Sequence, residues 1–142
     1  MSTIDWNSIN VGDALPSLAL PPISRTTLAL FAGASGDHNP IHIDIDYARR
    51  AGMPDVFAHG MLSMAYLGRL LTQWVDQRRL RRFTVRFVGI THLGHEVTCS
   101  ARVVEKLLAQ GERRVKLEVQ AANQYGDVKV LGEAEVACDD RT

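Results

Sequence analysis

Cysteine is scarce in this sequence of 142 residues. The two cysteines, Cys99 and Cys138, stand far apart and belong to no CxxC or CxxH spacing. Their positions therefore indicate neither a zinc site nor a redox pair, and we expect two reduced, buried thiols.

Net charge is also missing, since sixteen basic residues balance sixteen acidic ones. A partner rich in phosphate, such as a nucleic acid, would favour a basic face, so this balance argues against one. No apolar run approaches the ~18 residues that span a bilayer, and the chain does not open with a basic segment followed by an apolar stretch. These absences predict a cytoplasmic protein without a membrane partner.

The sequence shows no internal repeat, low-complexity tract or linker. Its composition, 46% hydrophobic and 23% charged, is that of an ordinary globular protein. A chain of this length buries enough surface to fold without a metal or a disulfide. We therefore expect residues 1–142 to form a single domain.

Hydrophobic and polar residues alternate from Leu80 onward, which predicts strands with one buried face. Turn signals at residues 110–111 and 125–127 predict that the last three strands are antiparallel neighbours. The apolar positions of the four strands are Phe83, Val85 and Phe87; Val97, Cys99, Ala101 and Val103; Val115, Leu117 and Val119; and Val128, Val130, Ala134 and Val136.

Helical patterns dominate the first half of the chain. Ser24 or Thr26 is placed to cap a short helix that ends near Gly36, and a second short helix is expected over residues 43–50. Residues 60–75 are apolar around nearly the whole helical circumference, which predicts a long helix enclosed by protein. One such helix and four long antiparallel strands indicate an α+β domain with a curved sheet wrapped around the helix.

Two carboxylates, two imidazoles and an amide occur together in residues 35–44. Pro40 disfavours helix at the preceding residue, so a stiff, non-helical loop is expected from Asp37 to His42. His38 and His42 have the i, i+4 spacing of a zinc pair, but the proline between them breaks a shared helix face and no HExxH motif is present. No metal is therefore expected.

Asp37 and His42 can instead form a carboxylate–imidazole pair that moves a proton without a cofactor, since histidine titrates near neutrality and aspartate is ionised there. The alternative is structural, with Asp37 capping nearby backbone amides and His42 hydrogen-bonded in the core. Spacing alone leaves both interpretations open.

The start of the long helix offers a second chemical feature. Backbone N–H groups are free at a helix start, and Gly60 has no side chain to block an incoming oxygen, so the position suits a developing oxyanion. Simple helix initiation is the alternative, and a structural role for His59 stays open.

Two further polar groups lie outside these segments. One is a predicted exposed turn that contains His92 and His95. The other is a cluster of arginines that directly follows the long helix. These side chains can complement the helix C-terminus, bind phosphate, face an acidic partner or lie in a solvated turn. The cluster consists of Arg78, Arg79, Arg81 and Arg82.

Residues 31–42, with the sequence FAGASGDHNPIH, and the later AHGML at 58–62 together resemble the MaoC-like dehydratases, also known as (R)-specific enoyl-CoA hydratases. The resemblance joins a fingerprint of the form SGDxNPxHxD to an HGM element, and the order of elements agrees over nearly the whole chain. Residues 54–62 are also similar to the single-domain dehydratase subunits of bacterial fatty-acid and mycolic-acid elongation.

The resemblance implies a hot-dog fold, in which an antiparallel sheet wraps a long central helix, and a pairing as homodimer or as heterodimer with a related subunit. It implies water addition to, or removal from, C2=C3 of an acyl-CoA or acyl carrier protein thioester in fatty acid metabolism, with no cofactor. Some relatives carry a central-helix serine where this chain has Gly68. The implied site comprises Asp37, His42 and the Gly60 N–H as catalytic groups, with Asn39, His59 and Met61 as substrate-binding residues; Asn39 is also expected to fix the loop.

Two other functional classes share this fold. Many hot-dog thioesterases need an acidic residue in or beside the central helix, and residues 60–75 contain none. A non-catalytic acyl-binding subunit of a heterodimer would lack the Asp37–His42 pair. Hydration is therefore the favoured interpretation.

Overall fold

The computed structural model describes residues 4–138. Its helices are α1 (Arg25–Ser35), α2 (Ile45–Arg50) and α3 (Gly60–Trp74), and 3₁₀ turns occur at Trp6–Ser8, Pro40–His42 and Gln77–Arg79. Its strands are β1 (Leu18–Ala19), β2 (Leu80–Phe87), β3 (Thr98–Ala109), β4 (Glu112–Ala122) and β5 (Val128–Ala137). Within residues 4–138, no helix combines the length and apolar character that crossing a membrane requires.

The five strands form one antiparallel sheet in the order β1-β3-β4-β5-β2. The expected turns connect β3 to β4 and β4 to β5. The short β1 escapes sequence analysis, because two residues cannot show an alternating pattern. β2 pairs with β5 at the far edge, a long-range choice that local turn signals do not determine.

Helix α3 packs on the sheet against β3, β4 and β5. Its buried side consists of Leu62, Ser63, Leu67, Leu70 and Leu71. The buried strand residues include Cys99, Val103, Val115, Leu117, Val119, Val130, Ala134 and Val136. Helix and sheet therefore bury each other, and truncating one such leucine to alanine typically costs about 2–5 kcal/mol.

The expectation that α3 is enclosed on all sides is wrong for one face. Met61 is 53% exposed, and Ala65, Arg69 and Gln73 continue the exposed positions along the helix. A single sheet covers one side of a helix, so the opposite side stays open even where the sequence is apolar.

The predicted short helices form with small differences at their ends. Ser24 caps α1 and Gly36 ends it. α2 begins at Ile45, because the Asp44 side chain accepts hydrogen bonds from the first turn and sets the start there. The expected non-helical loop also contains the 3₁₀ turn at Pro40–His42. Proline fits at the start of this turn, because a backbone N–H there would have no acceptor within the helix.

Both cysteines are buried, as expected. Burial raises the pKa of the Cys99 thiol to about 12. Its thiolate is therefore not populated near neutral pH, and Cys99 acts as a small core side chain.

A cluster of ion pairs ties the start of β2 to β4 and β5. Glu112 accepts hydrogen bonds from Arg81 Nε (2.6 Å) and Arg114 Nε (2.8 Å), and Arg114 lies 3.6 Å from Glu135. Arg81, Glu112 and Arg114 are only 8–12% exposed at their side chains. The hydrogen bonds from Arg81, and next from Arg114, lower the pKa of the Glu112 carboxyl.

Glu112→Gln is expected to lower the free energy of unfolding at pH 7 by about 2 kcal/mol, because two mostly buried guanidinium groups lose their charged acceptor. The folded-state pKa of Glu112 is lowered, so its stabilisation is present above the unfolded-state pKa and is lost as the pH falls through the folded-state value. Urea unfolding at decreasing pH should show wild type and variant converging. Glu118→Gln is the control, because the Arg102–Glu118 pair is exposed and contributes at most about 1 kcal/mol. If both variants lose the same free energy of unfolding at pH 7, the prediction is wrong.

Candidate active site

The loop between α1 and α2 is held by side chains that accept hydrogen bonds from backbone N–H groups two residues ahead. The Ser35 hydroxyl accepts from Asp37 (3.2 Å), Asp37 Oδ1 from Asn39 (3.2 Å), and Asn39 Oδ1 from Ile41 (3.1 Å). Such bonds stabilise turns in competition with regular helix. Polar residues at every second position thus keep this short loop in one conformation.

Gly36 directs the chain out of α1 with a φ of 76°, a left-handed conformation that favours glycine. Asp37 follows immediately and is exposed at the end of the helix. Its Oδ1 serves the turn, whereas Oδ2 accepts no hydrogen bond from residues 4–138. One carboxylate oxygen is therefore available for chemistry.

The ring of His42 is anchored through one nitrogen. Nδ1 lies 2.7 Å from the carbonyl oxygen of Phe57, and the Phe57 ring meets the imidazole edge-on at 5.1 Å. A carbonyl oxygen only accepts, so Nδ1 carries the proton and neutral His42 has its lone pair on Nε2. The backbone of residue 57 thereby selects the tautomer.

Asp37, His42 and His59 converge at one point. A carboxylate oxygen of Asp37 and one ring nitrogen of each histidine all lie within 4.8 Å of one another. A water molecule that forms hydrogen bonds of about 2.8 Å can bridge two groups at this separation. Asp37 and His42 each use one atom for structure and leave another available, an arrangement that is compatible with both interpretations that the sequence left open.

His59 is 1% exposed and touches both of these residues. Its Nε2 lies 3.2 Å from the Asp37 carbonyl oxygen, and its ring stacks on His42 with centroids 4.0 Å apart. The Phe31 ring covers another side, edge-on at 5.0 Å. The buried Nδ1 has no hydrogen-bond partner within residues 4–138. Burial, and next the neighbouring His42, lower the pKa of His59.

Helix α3 begins beside this cluster. His59 is its N-cap residue but supplies no side-chain cap, and the Gly60 N–H meets no acceptor within residues 4–138. A Cβ at position 60 would lie 3.1 Å from the Phe87 ring, so glycine lets Phe87 pack closely against the helix start. The result is a free donor at the positive end of the helix.

The three clustered side chains meet a metal ion's distance requirement but not its directional one. Zinc binds imidazole nitrogens at about 2.0–2.1 Å along lone pairs that point at the ion. The rings of His42 and His59 are stacked with an interplanar angle of 27°, so their in-plane lone pairs lie in nearly parallel planes rather than converging on one ion. This arrangement does not fit a resident metal ion.

A cavity of about 400 Å³ opens next to Asp37. Met61, Ala65 and Gly68 lie in it at helical spacing along one side of α3. Asp37 is its charged lining residue, and the others are Phe31, Ser35, Met61, Met64, Ala65, Gly68 and Phe83. The candidate carboxylate thus lies at the wall of an apolar pocket.

Sequence analysis anticipates the residues at the polar end of this site but not its apolar wall. Asp37, His42, His59 and Gly60 come together, and Met61 lines the cavity. Six lining residues were not among the predicted site residues: Phe31, Ser35, Met64, Ala65, Gly68 and Phe83. Spacing from Met61 along α3 would have found Met64, whereas Phe83 arrives from a strand whose position the local pattern does not reveal.

The arginines at 78–82 lie beyond the other end of α3, about 20 Å along the helix from its first residue. Arg78 bonds Asp76 through two nitrogens and lowers the pKa of that carboxyl to about 2. Arg81 is buried against Glu112. These two arginines are therefore committed to local ion pairs rather than to a phosphate beside the loop carboxylate.

The turn that contains His92 and His95 forms, but these histidines are half-buried rather than exposed. The His92 N–H donates to Nδ1 of His95 at 3.1 Å, and the rings meet edge-on at 5.4 Å. Tyr125, from the β4–β5 connection, packs against His95 at 6.4 Å. Burial lowers the pKa of His95. The turn is thus covered by a distant loop, which no local signal predicts.

A curved antiparallel sheet around one long helix, with polar groups gathered at the start of that helix, defines the hot-dog class of α+β proteins. The chain belongs to the MaoC family, because the model of the MaoC like domain matches residues 10–124. The family and fold inferred from the sequence motifs are thus confirmed.

Solved structures and curated relatives agree with this assignment. The chain is similar to R-hydratase PhaJ1 from Pseudomonas aeruginosa, with a TM-score of 0.84 and 31% identity, covering 97% of this chain and 88% of that one. An (R)-specific enoyl-CoA hydratase from Rhodospirillum rubrum is 43% identical over 49 residues, 34% of each chain. A fatty acid synthase subunit beta from Aspergillus oryzae is 37% identical over 113 residues, which span 76% of this chain and 5% of that subunit.

Proposed function

We propose that the protein is an (R)-specific hydratase or dehydratase, which adds water to C2=C3 of an enoyl thioester or removes it from a 3-hydroxyacyl thioester. The observation that carries the proposal is the placement of the Asp37 carboxylate within 4.8 Å of a His42 ring nitrogen, beside an apolar cavity. The similarity to R-hydratases supports the reaction class and its stereochemistry.

The two side chains can hold one reacting water between them. The free Oδ2 of Asp37 and the Nε2 lone pair of His42 are both acceptors, so they take the two protons of the water. The oxygen lone pairs then point away from both groups, toward C3 of the substrate. Asp37 removes a proton as the oxygen attacks, while His42 orients the water.

Addition at C3 moves negative charge onto the thioester oxygen. The Gly60 N–H at the start of α3 is a free donor for that oxygen, and the helix dipole favours the same charge. Asp37 then returns the proton that it took from the water to C2, on the face from which the water came, and is restored as a carboxylate. The dehydration direction uses the same groups in reverse.

The apolar cavity fits the acyl chain. From Met61 to Gly68 the wall extends about 10 Å along α3, which leads away from the reacting carbons near Asp37. Glycine and alanine on this wall leave room for methylene groups. An acyl thioester carried by CoA or by acyl carrier protein is therefore the proposed substrate, and no cofactor is required.

A second copy of the chain is the proposed partner. β2 is one of the two edge strands of the sheet. The N–H of Val88, directly after β2, bonds the Lys129 carbonyl of β5, so the alternate backbone groups at 83, 85 and 87 face outward. Phe87, Val88 and Ile90 are 43–51% exposed beside this edge. Pairing two β2 strands would satisfy the outward groups and cover this apolar surface. A related subunit could use the same edge.

Asp37→Asn is expected to lower the rate of crotonyl-CoA hydration by about 10²–10⁴-fold, because the amide cannot accept the proton from water. The variant retains an oxygen for the Asn39 N–H, so the loop and the melting temperature should stay unchanged. Asp44→Asn, which caps α2 outside the cluster, is the matched control. An unimpaired rate in the Asp37 variant would remove the proposed dyad, and release of free CoA by the wild type would identify a thioesterase instead.

Gly68→Leu is expected to restrict the acyl chain, because a Cβ here meets only Phe83 at 3.6 Å and the remaining side chain must fill the cavity. Activity on a C4 enoyl-CoA should persist, while activity on C8 and longer chains should fall about 10- to 100-fold. A ladder of C4 to C16 substrates measures this, with carrier-protein substrates alongside. Arg69→Leu adds a leucine outside the cavity as the control. Equal effects on all chain lengths would place the acyl chain elsewhere.

Size-exclusion chromatography with light scattering is expected to give a molar mass twice the chain mass of 15.7 kDa. The double variant Val88→Lys, Ile90→Lys should shift the protein to monomer, because two charges would be buried at the pairing edge. Leu108→Lys, at a position 75% exposed in β3, is the control. A monomeric wild type, or a double variant that stays dimeric, would reject pairing along β2.

A further inference from the structure

We infer that His59 is a positioning residue that holds Asp37 and His42 at their working separation by donating a hydrogen bond to the Asp37 backbone and stacking on the His42 ring. The inference deepens the proposed function and rests on it. It replaces the expected substrate contact of His59, whose side chain is 1% exposed.

The two members of the dyad are anchored to different parts of the chain. The Asp37 carboxylate bonds the loop that carries it, through the Asn39 N–H, whereas His42 is tied to the Phe57 carbonyl. His59 contacts both, at 3.2 Å to the Asp37 carbonyl oxygen and 4.0 Å between imidazole centroids. It also directly precedes Gly60, so a single residue relates the carboxylate, the imidazole and the helix-start N–H.

Holding both residues requires, in one side chain, a hydrogen-bond donor for the Asp37 carbonyl and a flat ring for stacking on His42. A carbonyl oxygen accepts, so His59 Nε2 carries the proton and Nδ1 is left as an acceptor. That buried Nδ1 has no partner within residues 4–138, an arrangement that is unfavourable for a residue needed only to fill space. Leucine or phenylalanine would fill this volume without an unpaired acceptor, but neither could bond the Asp37 carbonyl.

His59 must stay neutral to do this. A second proton on its ring would place a charge in a buried site, stacked against His42. The titratable groups facing it are Asp37 and His42, and Phe31 covers its remaining side. Burial and the proximity of His42 lower the pKa of His59, which keeps the neutral form at physiological pH.

The test compares His59→Leu, which removes the donor, with His59→Gln, whose amide N–H₂ can still reach the carbonyl. His59→Leu should lower kcat for crotonyl-CoA on the order of 10²-fold with little change in KM, because small misplacements of reacting groups cost about this much. His59→Gln should recover most of the lost kcat. His38→Leu is the matched control, because His38 is exposed and its side chain makes no hydrogen bond, ion pair or ring contact within residues 4–138.

Hydrogen exchange gives a readout that is independent of activity. The amides of residues 36–42 should exchange faster in His59→Leu than in wild type, with α3 and the sheet unchanged, and ring ¹⁵N shifts should show His59 as the Nε2–H tautomer. If no enoyl thioester is hydrated by any form but loop exchange still rises, the proposed function fails and the positioning by His59 stands. Wild-type kcat and loop exchange in His59→Leu, or faster exchange throughout the sheet, would overturn the inference.

Discussion

The hydrogen bond between His42 Nδ1 and the Phe57 carbonyl oxygen, at 2.7 Å, sets the chemistry of the whole site. It places the imidazole proton on the anchored nitrogen, so the other nitrogen of neutral His42 is left as an acceptor. It also ties the α1–α2 loop to the segment that leads into α3, since residue 57 lies just before the helix start.

The polar side chains here divide their atoms between structure and chemistry. Asp37 commits one oxygen to the Asn39 N–H, and His42 commits one nitrogen to Phe57. The remaining atoms are held in place because the first ones are bonded. This division explains how an exposed loop can hold Asp37 and His42 in a defined geometry, which the proposed dyad requires.

The open side of α3 has a comparable double use. Met61 and Ala65 are apolar but are left uncovered by the sheet, and they line the cavity beside Asp37. A helix fully enclosed by its own sheet would have no room for an acyl chain. The apolar sequence of α3 thus serves core packing on one side and, in the proposed function, substrate binding on the other.

Local elements were predictable from the sequence, because capping, alternation and turn signals act between near neighbours: a cap at Ser24 or Thr26, the strands from Leu80 and the free N–H at Gly60 are examples. Motif residues also indicated which side chains meet. Three features could not be predicted in this way: β2 pairs with β5, Phe83 lines the cavity, and His59 is buried against Asp37 and His42. These are contacts between distant segments, and their geometry depends on how helix and sheet pack, which no window of sequence contains.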